Sequence, residues 1–447
     1  HGPPNLYFVL NSLCYNFFMV LLDAALLLLF VSLSVMNRDW MGWEKLGITP
    51  TSDLITTLLF TFTFGYILVN AFLFLIKKRS AIRILRITKI LLFCITIFTL
   101  VGYPLMSNIM IRRTSVNYLF IHDGALQTEI ATRFLLKGKN PYASNFLGTP
   151  MESWQYSETD DPKAKNPALY HYVYLPFFLL TSSVGHVIQK IVLGWEDLRF
   201  TLFAEYMALL LVAFMLVKNM KEKYLYLTLF AANPLVVHFL VEGRNDTASF
   251  LYLLASAFFL SRKNLTASAI LLGASMAFKQ TLWLAAPFFL GYVFFQKELR
   301  KKALRYTGIF LLSAVILIGP FFLWDPKSFI DSTLGYMSGS TLHSYPIKSI
   351  GFAQILLLTK VISNSHNYFP FWILQAISVG PLLAYFIVHL KRNPKISSIF
   401  LFFGITTLVF LYFSRAFSES YLTIVVLAFI GAFVFYQKEK TADALKR

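Results

Sequence analysis

Asp123 opens a polar stretch, IHDGALQTEIATRFLLKGKNPYASNF, that lies between two apolar runs. A carboxylate in that position has two possible uses. It caps the helix that follows, since Asp is a good N-cap, or it takes the proton of a hydroxyl attacking an electrophile. Lys279 sits between two further apolar runs, where an isolated ammonium is costly. It either snorkels to the interface or holds an anion. Arg244 and Asp246 flank Asn245 in the sequence Gly-Arg-Asn-Asp and either pair with each other or face a ligand. Arg415 stands in a short polar turn, Ser414–Ser420, with Glu419 as an alternative partner. Tyr170, His171, Tyr172 and Tyr174 crowd the end of the polar stretch, where an interfacial aromatic belt is one explanation. His122 is placed to tune Asp123, whereas Asp23 and Glu205, in apolar runs far from these motifs, are given no role and read either as groups hydrogen-bonded to neighbouring helices or as lipid-headgroup contacts near a span's end.

The elements that position these residues follow from composition. Of 447 residues, 57% are apolar and 14% charged, which excludes an ordinary soluble enzyme and a disordered chain. The formal charge is +18, but Lys and Arg collect in short loops between apolar runs, so nucleic acid is excluded as a partner and a multispanning membrane protein is indicated. Cys14 and Cys94 lie in apolar runs, which excludes a disulfide framework and a thiolate metal cluster. There is no His-x-x-x-His pair, and the adjacent Asp160 and Asp161 read as a solvated turn, so no metal or other cofactor is expected. The first apolar run is too long for a cleavable signal peptide.

Thirteen runs have the length and apolarity of candidate spans: 8–36, 54–76, 88–109, 172–190, 200–217, 224–241, 246–261, 265–279, 281–295, 306–323, 371–390, 397–413 and 420–436. The run 349–362 is shorter and reads as re-entrant or superficial. The fold class is therefore all-α and integral to the membrane, with 11–13 transmembrane helices. Basic clusters at 77–86, 297–305, 391–395 and the tail from Lys438 mark one side as cytoplasmic. The 110–171 loop, with seven basic and six acidic residues, then falls outside, as do Gly243–Asp246, Lys279 and 325–370. Counting forward and backward disagrees by one crossing between 172 and 223. Either 172–190 is a hairpin returning to the outer face, which is preferred, or the Lys218–Lys223 turn is external. Within the loop, Leu126, Ile130, Phe134 and Leu135 predict a short amphipathic helix at the membrane surface, broken by Asn140–Pro141–Tyr142.

These residues carry a resemblance. Asp123–Gly124, a helix, Leu-Leu-x-Gly-x-Asn-Pro-Tyr and then a Tyr-rich x-Pro return resemble the polytopic GT-C glycosyltransferases, closest to the bacterial polyprenyl-phosphate-mannose-dependent mannosyltransferases. Gly243–Arg244–Asn245–Asp246 is similar to the family's Gly-x-x-Asp turn. Gly273, Lys279 and Pro287 resemble its Gly…Lys…Pro helix pair, and the run Gly319–Pro326, with Phe329 after it, also looks like the family. The likeness covers about 110–330. In the family the catalytic loop commonly follows the first span, whereas here it follows the third. The double Pro of the loop's exit is replaced by Leu175–Pro176.

The resemblance implies residues 1–87 as an added pair of spans, 88–330 as the catalytic membrane module and 331–447 as C-terminal spans. It implies inverting transfer of a sugar, mannose by default, from a polyprenyl-phosphate donor to an acceptor hydroxyl on a lipid, glycan or protein at the outer face of what looks like a bacterial plasma membrane. Asp123 matches the catalytic carboxylate. Lys279, Arg244 and Arg415 become candidate contacts to the donor phosphate, and Asp246, Tyr170, His171, Tyr172 and Gln127 candidate substrate contacts. A transporter or flippase of lipid-linked intermediates is the competing class. It would show paired halves with interrupted helices, and no internal repeat is visible.

Overall fold

The computed structural model describes residues 22–36, 49–76, 78–114, 121–154, 165–217 and 219–444. Cys14, Lys77, Asp160, Asp161 and Lys218, and most of the 37–53 loop, lie outside the described residues. In chain order the helices are α1 (Leu22–Met36), α2 (Thr49–Leu75), α3 (Arg79–Ile97), α4 (Tyr103–Thr114), α5 (Asp123–Leu136), α6 (Pro176–Leu193) and α7 (Leu198–Met215). There follow α8 (Met220–Ala231), α9 (Pro234–Glu242), α10 (Asp246–Ser261), α11 (Leu265–Phe278), α12 (Ala286–Phe295) and α13 (Ala303–Trp324). The last six are α14 (Pro326–Ile330), α15 (Tyr336–Ser338), α16 (Phe352–Leu358), α17 (Phe371–Arg392), α18 (Ile396–Tyr412) and α19 (Leu422–Ala444). The only sheet among the described residues pairs β1 (Lys348–Ser349) with β2 (Ala416–Phe417), in parallel.

The chain is an all-α, multi-pass membrane protein. Among the described residues seven helices are long and apolar enough to cross a bilayer, and eight if the pair α8 and α9, bent by 45° at a short break, is one span. Five apolar helices are shorter: Leu22–Met36, Asp246–Ser261, Leu265–Phe278, Gln280–Phe295 and Ile396–Tyr412. Each of the thirteen apolar runs thus overlaps a helix. For the four of these shorter helices that are described over their whole length, the difference from the expected 11–13 spans is one of length; residues 8–21 of the first run lie outside the described residues. A helix of 14 residues reaches only ~21 Å, short of a hydrocarbon core of ~30 Å.

The described residues form two compact units. The first takes 1–120 and 213–242. There Asp23 of α1, Tyr66 and Asn70 of α2 and Lys89 of α3 meet in one buried network. The Lys89 ammonium donates to Asp23 Oδ2 at 2.8 Å and to Asn70 Oδ1 at 2.6 Å, and the Tyr66 hydroxyl donates to the same Asp23 oxygen at 2.6 Å. Asp23 is thus hydrogen-bonded by neighbouring helices, as such a residue in an apolar run requires. Thr57, Thr61 and Thr63 of α2 turn their hydroxyls onto the preceding turn, Thr63 to Leu59 O at 2.7 Å for example. This satisfies them without water. α3 and α4 join through a wide π turn, Phe98–Gly102, into one helical rod from Arg79 to Thr114.

The second unit takes 121–212 and 243–447. Its bundle relies on close backbone approach. A Cβ on Gly273 of α11 would lie 2.7 Å from Ser313 Cβ and 2.8 Å from Phe310 O of α13. Gly404 of α18 and Gly431 of α19 face each other's helices in the same way, against Phe429 and Phe400. Small residues at such crossings are how helices pack in lipid. Polar ties reinforce them: Ser256 of α10 donates to Ser268 O of α11 at 2.8 Å, and the Ser268 hydroxyl lies 3.1 Å from that of Tyr306 in α13.

Two expectations change here. The segment 172–190 is not a hairpin, because Pro176–Leu193 is one unbroken helix ended by left-handed Gly194. α6 runs beside α5 in the same sense. Tyr174, just before it, packs on Gly124, and just beyond its end Glu196 accepts from Arg133 Nε at 2.8 Å. Glu129 then accepts from the Leu198 backbone at 2.9 Å, and Gly243 packs against Ile121, Ala125 and Arg199. So α6 runs alongside α5 in the same direction, and α7 starts beside α5. Nor does α5 keep one face open to water. It begins at Asp123 as predicted, but its polar residues Gln127, Thr128, Glu129 and Thr132 are as buried as its apolar ones. α6 and the returning loop cover the side that periodicity alone leaves open.

The packing at Gly273 gives a test. Gly273→Leu should overpack the α11–α13 crossing and lower the thermal midpoint in detergent, consistent with a penalty of about 1–3 kcal/mol. Gly308→Leu in α13 has open space around it and should leave the midpoint unchanged. Equal midpoints for both variants would refute the close crossing.

Candidate active site

Asp123 is the first residue of α5, and the cap before it is His122 rather than Asp123 itself. His122 Nδ1 accepts from Gly124 N at 3.1 Å, and Asp123 Oδ1 accepts from the same N–H at 2.7 Å. The His122 ring nitrogen accepts that proton only when neutral. When protonated it turns donor toward Asp123 Oδ1, 3.2 Å away. The second Asp123 oxygen receives a long contact of 3.4 Å from Asn166 Nδ2. The Asp123 side chain keeps 28% of its surface exposed.

Tyr174 fixes the ceiling over this carboxylate. A methyl group at position 124 would overlap its hydroxyl, so only Gly124 lets the phenol lie against the first turn of α5. Its backbone is held by the Tyr142 hydroxyl, which donates to Tyr174 O at 2.8 Å. Burial pushes the Tyr174 phenol well above its usual pKa, and the Asp123 carboxylate adds to this. Asp246, Tyr172 and Tyr421 contribute in the same direction. The phenol therefore stays protonated and available as a donor.

The second charged group lies at the same end of this unit. Asp246 is the first residue of α10, and Lys279 follows the last residue of α11 in extended backbone. The lysine reaches back, donating to Asp246 Oδ1 at 2.6 Å and to Asn245 Oδ1 at 3.0 Å, with its ammonium 5.4 Å from the Tyr421 ring. Both charges are almost wholly buried. Each therefore depends on the other for neutralisation. Arg244, half-buried, also acts electrostatically on Tyr421. Gly243 makes that turn with a φ of 94°, which a side chain would strain. Gln280 ties the corner together, donating to Val173 O at 3.0 Å and Thr333 O at 3.1 Å.

The remaining sequence candidates hold the loops. Gln127 donates to Ala168 O, and to His171 O at 2.8 Å, which anchors the returning strand of chain to α5. Tyr170 stacks on His343 at 3.8 Å, and His171 Nε2 lies 2.7 Å from Leu342 O. Tyr172 is enclosed by Tyr142, Phe146 and Tyr174. Arg415 does not join the Asp246–Lys279 group. Its guanidinium is spent on three backbone carbonyls, Tyr345 at 2.6 Å, Asn367 at 2.8 Å and Ser365 at 3.1 Å. Burial pulls it down to about 10, so it remains charged at neutral pH. Asn140–Pro141–Tyr142 forms an Asx turn, Asn140 Oδ1 accepting from Tyr142 N at 3.0 Å. The Tyr142 ring then packs on Phe321 and Phe329, so two motifs far apart in sequence meet.

Sequence reasoning gave no role to Asn166, Tyr421 and Gln280, or to Asn245 beyond its place in the turn. Two of these signals were visible. Gln280 adjoins Lys279, and Asn166 stands before Pro167 where a turn cap is expected. Among the described residues no cluster of His, Cys, Asp and Glu could hold a metal ion. Compared with protein-family models, with curated proteins and with solved structures, the chain matches none.

Arg415→Ala should leave the carbonyls of residues 345, 365 and 367 without their donor. Limited proteolysis within 339–368 should accelerate by roughly tenfold or more, since about 1 kcal/mol or more attends each unsatisfied buried group. An unchanged digestion pattern would mean that the arginine does not clamp this segment.

Proposed function

We propose that this protein is a GT-C-type inverting glycosyltransferase that uses a polyprenyl-phosphate sugar as donor, mannose by default. The observation that carries the reading is the arrangement around Tyr174. A partly exposed carboxylate, Asp123, and a buried carboxylate–ammonium pair, Asp246–Lys279, both act on this one phenol or on Tyr421 beside it. The acceptor hydroxyl would attack the anomeric carbon while Asp123 takes its proton. The bond from that carbon to the phosphate oxygen breaks, and the lipid phosphate leaves with the electron pair. Lys279, oriented by Asp246 and Asn245, and Arg244 supply positive charge where the leaving phosphate gains negative charge. Asn166 makes only a long contact to the Asp123 oxygen that does not face the Gly124 amide, which leaves that oxygen open to the acceptor. In this reading the site faces the outer side of the membrane, which the basic loops of the sequence support and which suits a lipid donor whose tail stays in the bilayer.

The Lys279–Asp246 contact refines the role of the lysine. Removing it leaves Asp246 buried and unpaired, which typically costs about 3–5 kcal/mol. Lys279→Ala should therefore weaken both donor use and stability. A change in donor use alone would have followed from a solvated lysine.

Asp123→Asn is the sharper test. Purified protein in detergent would be incubated with a panel of polyprenyl-phosphate sugars and the products analysed by mass. Transfer should fall about a hundred- to ten-thousand-fold in the variant, while folding and donor binding persist. Transfer above roughly a tenth of the parent rate lies outside that range and would remove Asp123 as the base. Transfer in detergent also separates an enzyme from a flippase, which needs a sealed membrane to show activity.

A further inference from the structure

The helical rod from Arg79 to Thr114 is 36 residues long. Its N-terminal part carries Arg79, Arg83 and Arg86, one turn apart on one face. All three are exposed, and none pairs with a carboxylate among the described residues. With Ile82, Ile87 and Ile90 they line a groove of about 390 Å³. Arginine over isoleucine is an unusual surface for water alone. It suits a ligand with an anionic head and an apolar tail.

The length of the rod sets the depth of this groove. Arg86 and Arg112 are 26 residues apart, or ~39 Å along a helix. A bilayer measures ~30 Å across its hydrocarbon and ~40–45 Å with its headgroups. That separation matches the thickness of one membrane, which would set Arg79, Arg83 and Arg86 in the headgroup layer and the isoleucines just below. Arg83, Ile87, Ile90 and Cys94 follow at i, i+4, i+7 and i+11, a single stripe along the helix. Ile87 and Ile90 are exposed, and so is Cys94.

We propose that this stripe binds an anionic phospholipid. Its phosphate is held by Arg79, Arg83 and Arg86, and an acyl chain runs over Ile87 and Ile90 toward Cys94. Charge decides the occupant: three guanidiniums that meet no carboxylate among the described residues gain less from a zwitterionic headgroup, which carries its own cation, than from an anionic one. The site is independent of the proposed transferase chemistry.

Cys94 supplies the reporter. With Cys14→Ser, a fluorophore on Cys94 would be followed in full-length protein reconstituted into phosphatidylcholine vesicles. Brominated-chain phosphatidylglycerol should quench it at least roughly threefold more than brominated-chain phosphatidylcholine at equal mole fraction. The excess should vanish when Arg79, Arg83 and Arg86 are all changed to Gln, and persist when all three are changed to Lys. The Lys variant also controls for folding. Equal quenching by the two lipids would overturn the proposal. So would loss of the excess on adding inorganic phosphate at constant ionic strength, which would assign the arginines to a free anion.

Discussion

An ammonium cannot be buried among apolar helices unless a carboxylate neutralises it at close range. The 2.6 Å contact between Lys279 and Asp246 is that neutralisation, and much of the second unit is arranged around it. Asp246 begins α10 and Lys279 follows α11, so one ion pair fixes the shared end of two helices. Gln280, the next residue, carries the same anchoring to the 173 and 333 backbones. The polar groups near Tyr174 and Tyr421 are therefore fixed by helix ends rather than by free loops. This is the kind of support that holds a reacting group in place.

Aromatic packing does for the loop what charge does for the helix ends. Tyr142 contacts Tyr172, Phe321 and Phe329 and also donates to the Tyr174 carbonyl. One side chain thus connects the Asn-Pro-Tyr turn, the tyrosine-rich return and the end of α13. Arg415 performs an analogous task for 345–367 through three carbonyls. Both residues are polar at the tip and enclosed along their length, so each holds irregular backbone that has no ladder of its own.

The apolar runs were legible because lipid imposes them. A spanning helix must be apolar for about 20 residues, and each of the thirteen runs overlaps a helix. The start of α5 at Asp123 was legible from its helical spacing and its turn. The cap was not: His122, rarely a cap, took the position because its ring nitrogen happens to reach Gly124 N. Nor was the burial of Gln127 and Thr128, since periodicity describes one helix and says nothing of what covers its other face. Arg415 looked like a phosphate ligand because its sequence context is polar. Its partners are backbone carbonyls some fifty to seventy residues away, which carry no signature in side-chain type. The unbroken course of α6 was hidden for a different reason. Hydropathy reports that a segment avoids water, not whether it turns back within its length.

Gly124 and Tyr174 occupy one volume between them. The phenol fills the space that any side chain at 124 would need. The two positions thus behave as a single steric unit, although fifty residues separate them in sequence. Among descendants of this sequence, a larger residue at 124 should appear only together with a smaller one at 174, and the pair should drift jointly or not at all. A lineage that made the exchange would also lose the phenol beside Asp123. The geometry of helix packing would then constrain which chemistries remain reachable by single substitutions.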